Sequence, residues 1–240
     1  DKERSKKIFV DSILEDLNWI GIEYYKTIKQ SEREQKYKEV FKTLKNKNLI
    51  YPCFESLEEL SLKRKMLLKQ GRPPIYDRSS LKLKKEEIRT LIASGKNPHW
   101  RLKLDEESIS WNDMIHGEIN FNNLSVSDPI VFRSDEMPLF TITSVIDDAD
   151  MGVSHVIRGD DHITNTAAQI KLFKLIDAKT PIFGHFPLMK SKLGTGLSKR
   201  TDSFSIKQFR ETKISTVVIL NYLKKIGTNQ PMEDFEDKEK

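Results

Sequence analysis

The amino-acid sequence predicts an α/β fold built around a parallel sheet. Two stretches, Leu139–Ile146 and Val153–Ile157, are rich in β-branched and apolar residues, which is typical of short buried strands. A helix is expected next, opened by Thr164 or Asn165 and carried by apolar residues to Ile176. Strands that alternate with helices favour a parallel sheet, in which ligands bind beyond the carboxyl ends of the strands.

Helices are predicted in the first third of the chain. Residues 5–20 carry apolar side chains along one stripe. Ser31 with Glu34 has the spacing of a capping box ahead of a second helix, and Ser56 with Glu59 repeats that spacing ahead of a third.

Short strands are predicted in the middle of the chain. Residues 100–104 alternate between apolar and polar, and residues 109–111 are the expected pairing partner. Residues 119–121 and 130–132 are expected to form further strands, and residues 215–226 a helix near the end.

Polar residues cluster where the strand beginning at Val153 ends. Arg158, Asp160, Asp161 and His162 lie beside Gly159, which would let a ligand approach the backbone. From the residues alone, several arrangements remain open.

Arg158 could pair with Asp147, Asp148 or Asp160, and Asp161 with His162 could join His155 or His185 around a metal. No established metal-ligand spacing is present, however. Asp147 and Asp148 are expected to serve a turn or a cap, and Asn165 and Thr166 could simply cap the following helix.

A glycine-containing loop, Gly-Thr-Gly-Leu-Ser-Lys-Arg at 194–200, suits a polyphosphate. Lys199 would place a compact ammonium against phosphate oxygens, with Ser198 and Arg200 beside it. Taken alone, such a heptad is more often an ordinary surface turn, and it matches no established phosphate-loop pattern.

Positive charge is concentrated in one region. The whole chain of 240 residues carries a formal net charge of +5, whereas residues 57–103 alone carry +8. Basic residues interspersed with Tyr76 and Trp100 suit a phosphate backbone and exposed bases, although a solvated basic surface is an equal alternative.

Composition is that expected of a cytoplasmic protein. The single cysteine rules out an internal disulfide and suits a reducing compartment. The longest wholly apolar run, residues 217–220, is too short to span a bilayer, and the chain begins without a signal-peptide pattern, so no membrane association is expected.

Several motifs, in order, resemble the glutamyl-tRNA synthetases, which are class I aminoacyl-tRNA synthetases. They are Gln-Ser-Glu-Arg at 30–33, Tyr-Pro-Cys-Phe at 51–54, Pro-His-Trp-Arg at 98–101, Ser-Asp-Pro at 127–129, Val-Ile-Arg-Gly-Asp-Asp-His at 156–162, His-Phe-Pro-Leu at 185–188 and Leu-Ser-Lys-Arg at 197–200. The resemblance covers nearly the whole chain, and its wording is most similar to the second synthetase of some α-proteobacteria.

This resemblance implies part of a Rossmann-like catalytic domain, interrupted by an α+β insertion that binds the tRNA acceptor stem. Residues 1–50 and 136–190 would be the catalytic parts and 51–135 the insertion. Residues 191–240 would hold the Ser-Lys-Arg loop and the start of a helical region. A monomer is expected.

The implied activity is ligation of glutamate to tRNA through glutamyl-adenylate, with ATP consumed. Arg158 and Phe140 would contact glutamate, and Lys199 would stabilise the reacting triphosphate. The implied ATP contacts are Lys199, Ser198, Arg200, Asp161, Leu188 and Met189. By sequence alone, however, Leu188 and Met189 could equally be ordinary core residues. The implied tRNA contacts are His162, Arg101, Trp100 and Arg72.

Departures from the family pattern qualify this expectation. The His-Ile-Gly-His region is absent from these 240 residues, so they are expected to be a fragment that is inactive alone. Gly196 replaces a common lysine, and Phe140 replaces a common tyrosine. Mg²⁺ is expected to arrive with ATP and to be held mainly by phosphates.

No zinc is expected, because only Cys53 remains of the ligand set that some relatives use; Glu55 and Ser80 stand where thiolates would be. Two other functions remain open. One is a non-catalytic tRNA-binding paralogue, and the other is glutamylation of a modified tRNA base.

Overall fold

The computed structural model describes residues 6–105, 107–121, 127–189 and 205–227. The chain divides into two compact units. One consists of Lys29–Leu188, and the other combines Asp1–Ile28 with Met189–Lys240. The domain boundaries drawn from the sequence stay predictions, because the two units reflect only which residues pack together.

The larger unit mixes helices with short strands. Its helices are α2 (Glu34–Asn46), α3 (Leu57–Lys69), α4 (Lys85–Ala93), α5 (Phe140–Asp150) and α6 (Ile163–Leu175). Its strands are β1 (Ile50–Cys53), β2 (His99–Leu102), β3 (Ile109–Asp113), β4 (Gly117–Phe121), β5 (Ile130–Phe132), β6 (His155–Gly159) and β7 (Ile182–Phe186).

These strands form three separate groups. Strands β1, β2 and β5 make an antiparallel sheet in the order β1-β2-β5, and β3 pairs with β4 as an antiparallel hairpin. Strands β6 and β7 run parallel, with Arg158 opposite His185 and Gly159 opposite Phe186. The parallel pairing expected from the sequence is therefore confirmed for β6.

The strand predicted at Leu139–Ile146 is wrong, because this stretch belongs to helix α5. Its buried residues include Ile142, Val145 and Ile146, which recur at the spacing of one helical face. β-Branched residues favour strands only weakly, and packing against α6 decides the outcome here.

Two further predictions from the sequence are wrong, one of strand pairing and one of helix capping. Strand β2 pairs with β1 and β5, not with β3, whose Trp111 lies opposite Ile119. Ser31 lies in a 3-10 turn and caps nothing, since α2 begins after Arg33 without a side-chain cap. Helix α6 likewise begins without a side-chain cap.

The capping box of Ser56 and Glu59 is confirmed, with both reciprocal hydrogen bonds present at the start of α3. Each partner satisfies a backbone N–H that the first helical turn leaves without an acceptor.

One apolar core joins the antiparallel sheet to helices α2, α5 and α6. The Phe41 ring meets Trp100 and Phe132 edge-on, with centroids 5.3 and 4.8 Å apart. Leu102 and Ile142 are fully buried in the same cluster. This core packs the antiparallel sheet against the helices that lie next to β6 and β7.

A buried carboxylate ties α2 to α5. Asp147 accepts hydrogen bonds from Gln30 Nε2 at 2.8 Å, from Arg33 Nε at 2.7 Å and from the Tyr37 hydroxyl at 2.9 Å. The guanidinium of Arg33 also reaches the exposed carboxylate of Asp150. The expectation that Asp147 serves a turn is therefore replaced by a cross-helix role.

A second polar cluster lies at the start of α3. The carboxylate of Glu55 accepts hydrogen bonds from the hydroxyls of Ser80 and Tyr76 at 2.7 Å and of Ser79 at 2.9 Å. Burial alone would raise the pKa of Glu55, but these donors outweigh it and lower the pKa to about 2.

The smaller unit contains helices α1 (Lys7–Ile20), α7 (Ile206–Glu211) and α8 (Thr216–Gly227), and the helices predicted near both chain ends are confirmed. The Arg210 guanidinium bonds Asp16 at 3.2 Å and Glu15 at 3.0 Å, which joins α7 to α1. Among the described helices, none combines the length and apolar character needed to cross a bilayer.

Replacing Asp147 tests the tie between α2 and α5. Asp147→Ala should lower the free energy of unfolding by about 3 kcal/mol, because it leaves Arg33 Nε and the Tyr37 hydroxyl without their carboxylate acceptor. Asp150→Ala removes only exposed pairing and should cost less than about 1 kcal/mol. Urea unfolding of both variants checks this. Equal losses from the two would contradict the assignment.

Glu55 predicts a specific acid sensitivity. Because its folded pKa of about 2 lies below the ordinary 4.5, its contribution is present above pH 4.5 and is lost as pH falls toward 2. The difference in unfolding free energy between wild type and Glu55→Gln should therefore shrink over that range. Glu86→Gln, at an exposed position of α4, is the matched control. A constant difference for Glu55→Gln would refute the account.

Candidate active site

The carboxyl ends of β6 and β7 bring a cation and its polar partners together. Arg158 Nη2 donates to Thr166 Oγ1 at 2.6 Å and to Gln169 Oε1 at 2.5 Å, and both acceptors lie on α6. Arg158 Nε lies 3.4 Å from Nε2 of His185 on the neighbouring strand. Ligand-facing residues were expected at this end of the strands, and the guanidinium lies there.

The partners of Arg158 are side chains without a formal charge of their own. Within the described residues, no carboxylate lies within 4.0 Å of its guanidinium, so the alternative of an ion pair with Asp147, Asp148 or Asp160 is wrong. Burial lowers the pKa of Arg158, while Asp148 and Asp161 act more distantly in the opposite direction. A half-buried guanidinium without a contacting carboxylate is suited to bind an anionic ligand.

The residues around Arg158 were only partly predicted. Thr166 was considered as a cap and His185 as a metal ligand, and instead both bond to one another at 2.8 Å beside Arg158. Asp113 and Gln169 were missed. Asp113 Oδ2 lies 2.6 Å from His185 Nδ1, and both residues are fully buried. Only the fold brings Asp113 here, since it lies 72 residues from His185 along the chain.

Phe140 and His162 lie near this cluster. Their rings are 5.1 Å apart between centroids, and the Phe140 side chain is exposed. One turn along α5, Ser144 Oγ accepts a hydrogen bond from Gln169 Nε2 at 2.6 Å. The first turn of α5 therefore lies against the same residues that hold Arg158.

Gly159 lies close to the side chains of two predicted ATP contacts, Asp161 and Leu188. A Cβ atom built there would lie 2.6 Å from Asp161 Oδ1 and 2.7 Å from Leu188 Cδ2, so a larger residue would displace both side chains. Leu188 is exposed, as is Met189, which belongs to the smaller unit. Their exposure shows that the alternative of ordinary core residues does not hold.

The predicted phosphate loop lies outside the described residues. Lys199, Ser198 and Arg200 all fall within 190–204, so their role stays a prediction.

The predicted tRNA contacts differ in exposure. Trp100 and Arg101 are buried; the Arg101 guanidinium lies 4.0 Å from the centre of the Tyr76 ring and donates to the Asp128 carbonyl at 2.6 Å. Arg72 is exposed and lines a cavity of about 820 Å³ between α3 and residues 70–77. The cavity is also lined by the cationic residues Lys63, Arg64 and Arg101.

A metal site is not assembled from the described residues, where no group of three or more His, Cys, Asp or Glu side chains is placed to hold an ion. Where some relatives have thiolates, Ser80 Oγ donates to Glu55, and the Cys53 thiol lies 3.7 Å from the Tyr76 hydroxyl. These groups are thus engaged with each other.

Comparison with known proteins identifies the family of this chain. Residues 1–239 match the family described as tRNA synthetases class I (E and Q), catalytic domain. The chain is 45% identical over 238 residues to glutamate–tRNA ligase 1 of Wolbachia pipientis subsp. Culex pipiens, covering 99% of this chain and 53% of that protein. It is 43% identical over 240 residues to glutamate–tRNA ligase 1 of Maricaulis maris, covering 100% and 54%.

Solved structures are similar as well. A glutamate tRNA ligase from Elizabethkingia meningosepticum, solved in complex with its amino acid, matches with a TM-score of 0.72 and 28% identity. The match covers 83% of this chain and 43% of that one.

The chain thus spans about half the length of the curated relatives it matches. Because the family match extends over almost every residue, the chain belongs to the catalytic-domain family of the class I glutamyl- and glutaminyl-tRNA synthetases.

Proposed function

We propose that the chain is part of a glutamate–tRNA ligase. The observation that carries this proposal is Arg158, a half-buried cation at the end of β6 whose contacting partners are neutral. Glutamate differs from most amino acids by a side-chain carboxylate, which a guanidinium recognises through charge-assisted hydrogen bonds. The names of the relatives favour this function over a non-catalytic tRNA binder or a base-modifying enzyme.

In the proposed reaction, the α-carboxylate of glutamate attacks the α-phosphorus of ATP. The bond between the α- and β-phosphates breaks, and glutamyl-adenylate and pyrophosphate result. A hydroxyl of the terminal adenosine of tRNA then attacks the activated carbonyl and displaces AMP. Arg158 holds the side-chain carboxylate during both steps, so that only the α-carboxylate reaches the phosphorus.

The proposed ATP contacts are those that the resemblance implies, namely Lys199, Ser198, Arg200, Asp161, Leu188 and Met189. Asp161 and Leu188 both have side-chain atoms close to Gly159, and this proximity at the end of β6 supports their contacting one ligand. Mg²⁺ would enter with the triphosphate and be held mainly by its phosphate oxygens.

The acceptor stem of tRNA would bind the basic segment 57–103. Exposed Arg72 at the cavity beside α3 supports this surface, because a phosphate backbone is attracted to clustered cations. Trp100 and Arg101 would act mainly by supporting that surface from beneath, and His162 would approach the terminal nucleotide. We expect the protein to work as a monomer in the cytoplasm.

Arg158 can be tested in a full-length ligase that contains this chain. Arg158→Ala should raise the KM for glutamate by about 100-fold, since it removes charge-assisted hydrogen bonds to the carboxylate, and should leave the KM for ATP almost unchanged. Glutamate-dependent exchange of pyrophosphate into ATP measures both constants. Arg133→Ala, at an exposed arginine, is the matched control. An unchanged KM for glutamate in Arg158→Ala would refute the proposal.

Arg72 can be tested by RNA binding. Arg72→Ala should weaken binding of an acceptor-stem hairpin RNA by about 3- to 10-fold and lower the salt dependence by about one counterion, because one phosphate contact is lost. Lys179→Ala, at an exposed lysine outside the basic segment, should change neither quantity. The proposed surface is wrong if the two variants bind alike.

A further inference from the structure

We infer that Asp113 and His185 are positioning residues that orient the guanidinium of Arg158 for the side-chain carboxylate of glutamate. This inference rests on the proposed function, in which Arg158 binds that carboxylate. It adds a buried chain of hydrogen bonds, Asp113–His185–Thr166–Arg158, that the resemblance did not imply and that begins in the segment predicted to be the insertion.

The hydrogen bonds determine which nitrogen of His185 carries the proton. A guanidinium can only donate, so Thr166 Oγ1 accepts from Arg158 and has its own hydrogen left to donate. The shortest acceptor for that hydrogen is His185 Nε2 at 2.8 Å, with the His162 carbonyl at 3.1 Å. Arg158 Nε also points at Nε2 from 3.4 Å, and a lone pair on that nitrogen would accept from both donors.

The opposite side of the ring leads to the same tautomer. His185 Nδ1 lies 2.6 Å from Asp113 Oδ2, so it must donate to the carboxylate; a lone pair there would face a negative charge. A doubly protonated ring would place a second cation 3.4 Å from Arg158 Nε. These contacts favour the tautomer of His185 with its hydrogen on Nδ1.

Asp113 is held as a rigid acceptor. Its Oδ1 accepts from the backbone N–H groups of Ile115 at 3.1 Å, His116 at 3.2 Å and His185 at 3.1 Å. Burial opposes the ionised form, but these bonds and His185 outweigh it, and the pKa of Asp113 falls well below its ordinary value. A backbone bond from Met114 to Phe183 at 2.9 Å anchors the same strand end to β7.

The consequence for Arg158 is a single orientation. Nε faces His185, and Nη2 donates its two hydrogens to Thr166 and Gln169. Within the described residues, Nη1 has no acceptor, so its two hydrogens are available to a carboxylate. Without His185 as a partner, the Thr166 hydroxyl would keep only the His162 carbonyl at 3.1 Å, and the oxygen that accepts from Arg158 would be held less firmly.

Kinetics of a full-length ligase that contains this chain test the positioning role. Asp113→Asn and Thr166→Val should each raise the KM for glutamate on the order of 10-fold, the effect of one misplaced hydrogen bond to a charged group, with kcat and the KM for ATP within about 2-fold. Thr166→Ser keeps the hydroxyl and should restore the wild-type KM.

Asp128→Asn is the matched control for burial. Asp128 is an equally buried carboxylate that bonds Arg78 and Tyr51 away from Arg158. It should leave the KM for glutamate unchanged even where it lowers stability. If Asp128→Asn raises the KM as much as Asp113→Asn does, the positioning role is overturned.

Nitrogen-15 NMR of a full-length ligase that contains this chain gives an independent readout. His185 should show a protonated Nδ1 and an unprotonated Nε2, and Asp113→Asn should shift that tautomer balance, whereas Asp128→Asn should not. A protonated Nε2 in the wild type would overturn the inference.

Failure of the inference and failure of the proposed function give different results. If Arg158→Ala raises the KM for glutamate while Asp113→Asn and Thr166→Val do not, the positioning role is wrong and the proposed function stands. If Arg158→Ala has no effect, the proposed function is wrong and the positioning role falls with it.

Discussion

The parallel pairing of β6 with β7 is the constraint on which the candidate site depends. Its register places Arg158 opposite His185, so both side chains reach the same face of the strands, where α6 supplies Thr166 and Gln169. A shift of one residue would turn Arg158 to the other face and break every one of these bonds. The register is held from the side by Asp113, which bonds both the ring and the backbone of His185.

Electrostatics explain why this arrangement is suited to binding. A half-buried guanidinium loses hydration. Its nearest partners here replace the lost hydrogen bonds to water but supply no negative charge. Elsewhere in the same unit, Arg33 is neutralised directly by Asp147 and Arg78 by Asp128, whereas buried Arg101 donates to a backbone carbonyl and packs on the Tyr76 ring. Arg158 differs from Arg33 and Arg78 in that no contacting carboxylate among the described residues neutralises it, and it lies at the end of a parallel strand.

Much of the site was accessible from the sequence. The glycine and charged residues after β6 predicted a ligand-facing strand end, and the motif order predicted the family. The helix at α5 was missed because β-branched residues at 141–146 are compatible with either structure, and its i, i+3, i+4 burial is decided by packing against α6. Asp113 could not be predicted, because nothing local to it distinguishes a turn-forming aspartate from one that bonds a histidine 72 residues away.

The most direct measurement is the position of glutamate in a crystal structure of a full-length ligase that contains this chain. The account predicts a side-chain carboxylate oxygen within about 3 Å of Arg158 Nη1, a charge-assisted hydrogen bond, with Thr166 and His185 bonded as described. Glutamate bound away from Arg158, with the guanidinium turned to pair with Asp148 or Asp161, would contradict it.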